Sequence, residues 1–251
     1  MRILLTISYD GTNFNGYQVQ VDKRTVESEL NLAIKKITGE DVKTIASGRT
    51  DSGVHAVSQK VHFDTNSTIP PNKFYCALNT VLPCDIRVTS SKKVSDTFNA
   101  RYSAKKKTYK YSCYISEVEN PLYSRYKALL KYSLDLEKIK KACKIIEGEH
   151  DFKCFLASGS SVKDTVRTIY SIKVVKKGEL IDFYVTGNGF LYNMVRIVVG
   201  TLVKVGENRL ELSTLKKAIE TGDRNLVGKT MPSNGLCLYN VVYRSSLKNV
   251  K

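Results

Sequence analysis

From residue 3 to residue 9 apolar and polar side chains alternate, the two-residue period of a half-buried strand. The period then lengthens: Val26, Leu30, Ala33, Ile34 and Ile37 recur on one helical face until Gly39 stops them. Thr25 is the expected cap of that helix. Glu27 and Glu29 fall in its first turn and Lys35 and Lys36 near its last, the placement that suits the helix dipole. A strand follows over 42–46, then the polar loop SGRTDSG, then a strand over 57–64. Pro70 and Pro71 introduce a short helix carrying Phe74, Leu78 and Val81, and a strand over 86–94 closes this half.

The second half repeats the alternation. A strand spans 107–115, a helix carries Leu136, Ile139, Cys143 and Ile146, and a hairpin turns at Lys177-Gly178. The clearest helix opens after the GNG at 187–189, with Leu191, Met194, Val195, Val198, Val199 and Leu202 on its apolar stripe. A helix over 213–221 and a strand over 236–243 complete the chain. Strands mixed with helices in two halves of similar rhythm predict an α+β fold of two subdomains, 1–104 and 105–251, with the junction in 95–105. No sequence-level repeat accompanies that rhythm.

Charge narrows the function classes. Forty Lys and Arg against twenty-four Asp and Glu give the 251-residue chain a formal charge of +16, which favours a polyanionic partner, nucleic acid or anionic membrane. The longest apolar helical stretch, Phe190 to Val205, contains Arg196 and Lys204 and falls short of the roughly 20 residues of a membrane span. The opening MRILLTISYD reads as a strand rather than a signal core. A cytoplasmic protein with no membrane partner is the expectation. The six cysteines form no C-x-x-C and the three histidines lack zinc-site spacing, so neither disulfide nor structural metal is expected.

Three local patterns could carry chemistry. In SGRTDSGVHA, residues 47–56, Arg49 and Asp51 flank one residue in a Gly-bounded loop. Asp51 there fits either a turn-stabilising side chain or an active carboxylate held by an arginine. Arg196 interrupts an apolar helix, where it needs an anionic partner unless it reaches solvent beside the stripe. In the run from Lys105 to Tyr111 cations interleave with aromatics, and alternation puts Tyr109 and Tyr111 on one strand face. Such a strand can stack a base, and it can equally bury its tyrosines and wet its lysines.

Taken together, these segments resemble the TruA family of tRNA pseudouridine synthases over nearly the whole chain. The family opening Y-D-G-T-x-F-x-G-W-Q-x-Q stands as YDGTNFNGYQVQ, residues 9–20, with Tyr17 for the usual Trp. G-R-T-D-A-G-V-H-A stands as GRTDSGVHA, residues 48–56, and R-x-S-A-x-x-x-x-Y-x-Y as RYSAKKKTYKY, residues 101–111. GEHDFKCF at 148–155, GFLYNMVRIVVGTL at 189–202 and PSNGLCL at 232–238 look like the later family segments. The resemblance implies the pseudouridine synthase fold, with mixed, largely antiparallel sheets joined around a central catalytic cleft. It further implies a homodimer that acts without cofactor or metal on uridines of the tRNA anticodon stem and loop. By the same match Asp51 is the catalytic aspartate, Tyr109 contacts the substrate, Arg196 pairs with the aspartate and Leu236 lines the uridine pocket. Arg49 is expected to hold a phosphate or help extrude the base. Two rivals remain at this level: a non-catalytic RNA-binding or RNA-folding protein, and a carboxylate-dependent hydrolase using Asp151 as its second acid.

Overall fold

A computed structural model describes residues 1–160 and 162–243. Among these the chain forms two compact units, residues 1–105 with the closing strand from Cys237 onward, and Lys106–Leu236. Both are α+β and both rely on mainly antiparallel pairing.

In the first unit β1 (Arg2–Tyr9) lies between β3 (His55–Asp64) and β4 (Ile86–Val94), antiparallel to each. The two-residue β2 (Ile45–Ala46) pairs antiparallel with β3, and β10 (Leu236–Val242) pairs with β3 in parallel through Cys237 and Leu238. The alternating residues Ile3, Leu5 and Ile7 are fully buried, as are Val26, Leu30 and Ile34 from α1 (Val26–Thr38). Thr25 caps α1 as expected, and Ser28 completes a capping box in place of the usual Glu or Gln. Gly39 ends the helix in the left-handed conformation, φ 75°. The helix α2 (Phe74–Asn79) stops before Val81, because the Asn79 side chain leaves the helix to bond both the N–H and the carbonyl of Val88. Phe74 packs edge-on to Phe63 at 5.6 Å and fastens α2 to the sheet.

The second unit pairs β5 (Lys106–Ile115) with β9 (Leu180–Gly187), β9 with β8 (Val166–Lys177) and β8 with β7 (Gly148–Asp151), all antiparallel; β6 (Ala128–Leu130) joins β5 in parallel. The hairpin between β8 and β9 turns at Gly178-Glu179, one residue later than expected, with Gly178 at φ 59°. Here α3 (Leu136–Ile146), α4 (Met194–Gly206) and α5 (Leu212–Thr221) supply the helices. The helix α4 is buried nearly all round rather than along one stripe: Ile197, Gly200, Thr201, Val203 and Val205 are covered as well. A helix apolar on every side belongs at the centre of a core. It also begins three residues later than the apolar period suggests, because Asn193 adopts φ 58°, a conformation asparagine tolerates better than most side chains.

Candidate active site

Asp51 owes its position to two segments far apart in sequence. The Thr50 carbonyl accepts from the Tyr17 N–H at 3.0 Å, and the Thr50 hydroxyl meets the Tyr9 phenol at 2.8 Å in a buried contact. After the aspartate, Val54 N–H closes a turn on the Asp51 carbonyl at 3.1 Å, while Ser52 Oγ donates to the Phe14 carbonyl at 3.2 Å. The loop therefore rests on the 9–17 segment. Two glycines make that approach possible: a Cβ on Gly11 would lie 2.1 Å from the Val54 oxygen, and one on Gly16 would lie 2.8 Å from the Thr50 oxygen. His55 braces the far side, its Nδ1 3.0 Å from the Gly11 N–H and 3.2 Å from Asp10 Oδ1. Asp51 is left half-buried, Arg49 exposed, and Thr50 between them buried. Sequence reasoning singled out Arg49 and Asp51 but missed Thr50, Tyr9 and Gly16 as their support; the glycines of YDGTNFNG were the available signal.

The other three expected residues lie in the second unit. Tyr109, on β5, is 8% exposed and packs edge-on to Phe190, centroids 5.1 Å apart at 88°. Tyr111 is fully buried two residues on, and its phenol donates to the Pro232 carbonyl at 2.8 Å. Burial drives that phenol far above its ordinary pKa, so it remains a donor. Arg196 sits in the first turn of α4, partly exposed; its Nε donates to the Met231 carbonyl at 2.6 Å and its Nη1 to Asn193 Oδ1 at 2.7 Å. Arg196 and Tyr111 thus hold the consecutive carbonyls of Met231 and Pro232, in the segment that leads to Leu236. Leu236 is buried, with Gly235 just before it pressed against the Tyr111 ring and the Ser112 carbonyl. On the wet face of β5, Lys110 pairs with Asp182 at 2.9 Å. Burial disfavours the Lys110 ammonium, but Asp182 and Tyr184 outweigh it, and the amine stays above its ordinary pKa.

Asp151 has a local task. On the exposed β7 its Oδ1 accepts from Lys153 N–H at 3.0 Å and from the Thr165 hydroxyl, pinning the chain after the strand. No group of three His, Cys, Asp or Glu able to hold a metal ion occurs among the described residues.

Residues 5–103 and 142–244 match the family model described as tRNA pseudouridine synthase, which puts the chain in the class of RNA-modifying isomerases. It is 48% identical over 241 residues to the tRNA pseudouridine synthase A of Caldicellulosiruptor saccharolyticus, covering 96% of this chain and 99% of that one. It is 44% identical over 241 residues to the enzyme of that name from Thermoanaerobacter sp., with the same coverage. A third, from Exiguobacterium sp., is 43% identical over 242 residues, covering 96% of this chain and 98% of its own. The chain belongs to the tRNA pseudouridine synthase family. As a member it is an enzyme, which sets aside both the non-catalytic RNA-binding reading and the hydrolase built on Asp151.

Proposed function

We propose that the protein isomerises uridine to pseudouridine in the anticodon stem and loop of tRNA, with Asp51 as the essential carboxylate. The observation that carries this reading is the clamp on the aspartate loop, in which the backbone on both sides of Asp51 is hydrogen-bonded while its side chain stays half-exposed. Catalysis by a single carboxylate asks for a group that is both accessible and held in one orientation.

The reaction breaks the bond from C1′ to N1, turns the uracil, joins C1′ to C5, releases the C5 proton and leaves a proton on N1. Atoms and electrons balance without a redox partner or an energy donor. Asp51 acts as a nucleophile or as a base in this sequence. Arg196 pairs with it and favours its ionised form, as an adjacent cation does for any carboxylate. With Nε and Nη1 committed to Met231 and Asn193, the guanidinium plane is fixed within its own unit. A stacked uridine has to leave the helix first. Exposed Arg49 is suited to hold a phosphate during that step, Tyr109 to pack on the extruded uracil, and Leu236 to cover its apolar surface. The protein works as a cytoplasmic homodimer, and its positive charge serves tRNA affinity.

The test is tritium release from unmodified tRNA carrying 5-tritiated uridine. The native chain releases the label; Asp51→Asn binds the same tRNA and releases none. Release by Asp51→Asn at the native rate, or no release by the native chain across a broad tRNA pool, would end this reading.

A further inference from the structure

A depression of about 460 Å³ opens within the second unit between Ala157-Ser158 and the segment 224–230. Its polar lining comes from Ser158, Arg224, Asn225, Lys229 and Thr230, with no Asp or Glu among the lining residues. Arg224 donates to the Gly228 carbonyl at 2.8 Å and toward Thr230 Oγ1 at 3.4 Å, neither of which cancels its charge. Lys229 is exposed and forms no ion pair among the described residues. The nearest acid in sequence, Asp223, accepts from Asn225 N–H at 2.9 Å, capping the short turn that carries Arg224. Two cations and several hydroxyl or amide donors therefore share an open cavity that no Asp or Glu lines among the described residues.

The walls are fixed before any ligand arrives. Gly228 N–H donates to Thr201 Oγ1 at 2.9 Å and Met231 N–H to the Arg196 carbonyl at 3.3 Å, so one wall is tied to α4 at two points. Between them the chain lies against Gly200 so closely that a Cβ there would be 2.0 Å from the Lys229 oxygen. The opposite wall is tied to the entry of the same helix through Ala157 N–H and the Tyr192 carbonyl at 3.3 Å. Preformed walls of this kind spare a ligand the entropy of ordering them.

We propose that this depression is a backbone-phosphate subsite for tRNA. Lys229 and Arg224 neutralise one phosphodiester, and Ser158, Asn225 and Thr230 donate to its non-bridging oxygens. Because both walls refer to α4, a phosphate held here registers the RNA backbone to the helix that carries Arg196. The proposal rests on tRNA being the substrate. A free inorganic oxyanion offers the same chemistry and is the alternative occupant.

The test uses the full chain and the variants Lys229→Ala and Lys216→Ala, the second removing an exposed charge from α5 as a control. Affinity for unmodified tRNA is measured from about 50 to 200 mM KCl. One lost phosphate contact lowers the salt slope of log K against log salt by about 0.7–0.9. Lys229→Ala is expected to show that drop and to bind several-fold more weakly at mid-range salt, with Lys216→Ala unchanged in both respects. Equal slopes in the native chain and Lys229→Ala, or equal drops in the two variants, would overturn the proposal. Inorganic phosphate is then titrated into 15N-labelled protein. Shifts of the 228–230 amides in the native chain that vanish in Lys229→Ala support an oxyanion site; such shifts with an unchanged tRNA slope assign it to free phosphate and overturn the RNA subsite. Neither arm needs turnover, so failure of the catalytic reading would be seen separately.

Discussion

Arg196 and Met231 exchange hydrogen bonds: Nε of the arginine donates to the Met231 carbonyl at 2.6 Å, and the Met231 N–H donates back to the Arg196 carbonyl at 3.3 Å. The arginine thus serves the fold whatever it does for the carboxylate. A lysine keeps the charge but lacks the planar fork that reaches Met231 and Asn193 together. Arg196→Lys is expected to lose about 1–3 kcal/mol of stability, the cost of stranding a half-buried acceptor. Its kcat is expected to fall about 100-fold or more while tRNA affinity holds. Urea unfolding and single-turnover tritium release measure the two effects, and native values in both would refute this role.

Gly16 carries two constraints, a φ of 85° and a Thr50 carbonyl 2.8 Å from where its Cβ would stand. Gly16→Ala is expected to cost about 2–3 kcal/mol from left-handed strain and overpacking. The displaced Thr50 takes Asp51 with it, so turnover should drop further than affinity for tRNA. A variant with full turnover would show that the clamp does not set the carboxylate.

Much of this architecture was legible because local and global preferences agree. α1 announces itself through a cap, a period and a terminal glycine, and the structure keeps all three. β7 and β6 escaped notice for opposite reasons: GEHD is an exposed polar strand defined only by its pairing to β8, and residues 128–130 are too few to establish a period. The strand expected over 42–46 shrinks to Ile45–Ala46, with Thr44 turned instead to Asn31 Oδ1 at 2.8 Å. At the candidate site, motif spacing picked out Asp51 and Arg196, whereas the contacts that hold them run between residues 9–17 and 50–54 and between residues 196 and 231. Contacts across such separations leave only glycines as a trace, and a glycine alone does not name its neighbour.

His62 is buried on β3, its Nδ1 accepting from the Ala100 N–H at 3.1 Å. Burial lowers its pKa below the ordinary 6.5, Arg2 lowers it further, and Asp64 with the Ile45 carbonyl opposes both. The folded ring therefore takes up a proton less readily than the unfolded one. Stability contributed by neutral His62 is present above the unfolded pKa and is lost as pH falls below about 6.5. Unfolding free energy should drop between pH 7.5 and 5.5, and drop less in His62→Gln. Identical pH dependence in the two proteins would remove His62 from the account.

Tyr17 stands where the family usually has Trp, and its ring is 2% exposed. Its hydroxyl is buried without a hydrogen-bond partner among the described residues. The nearby Thr44 hydroxyl spends its own proton on Asn31 Oδ1 at 2.8 Å. Burial first, and then Glu27, push the phenol well above its ordinary pKa, so it stays neutral and carries only the cost of an unsatisfied polar group. Tyr17→Phe keeps the ring that packs against Tyr9, centroids 6.4 Å apart, and deletes that cost. The variant should gain about 1 kcal/mol in urea unfolding, with tritium release unchanged. A loss of similar size would mean that the phenol has a hydrogen-bond partner, such as a buried water, and that tyrosine is kept for it.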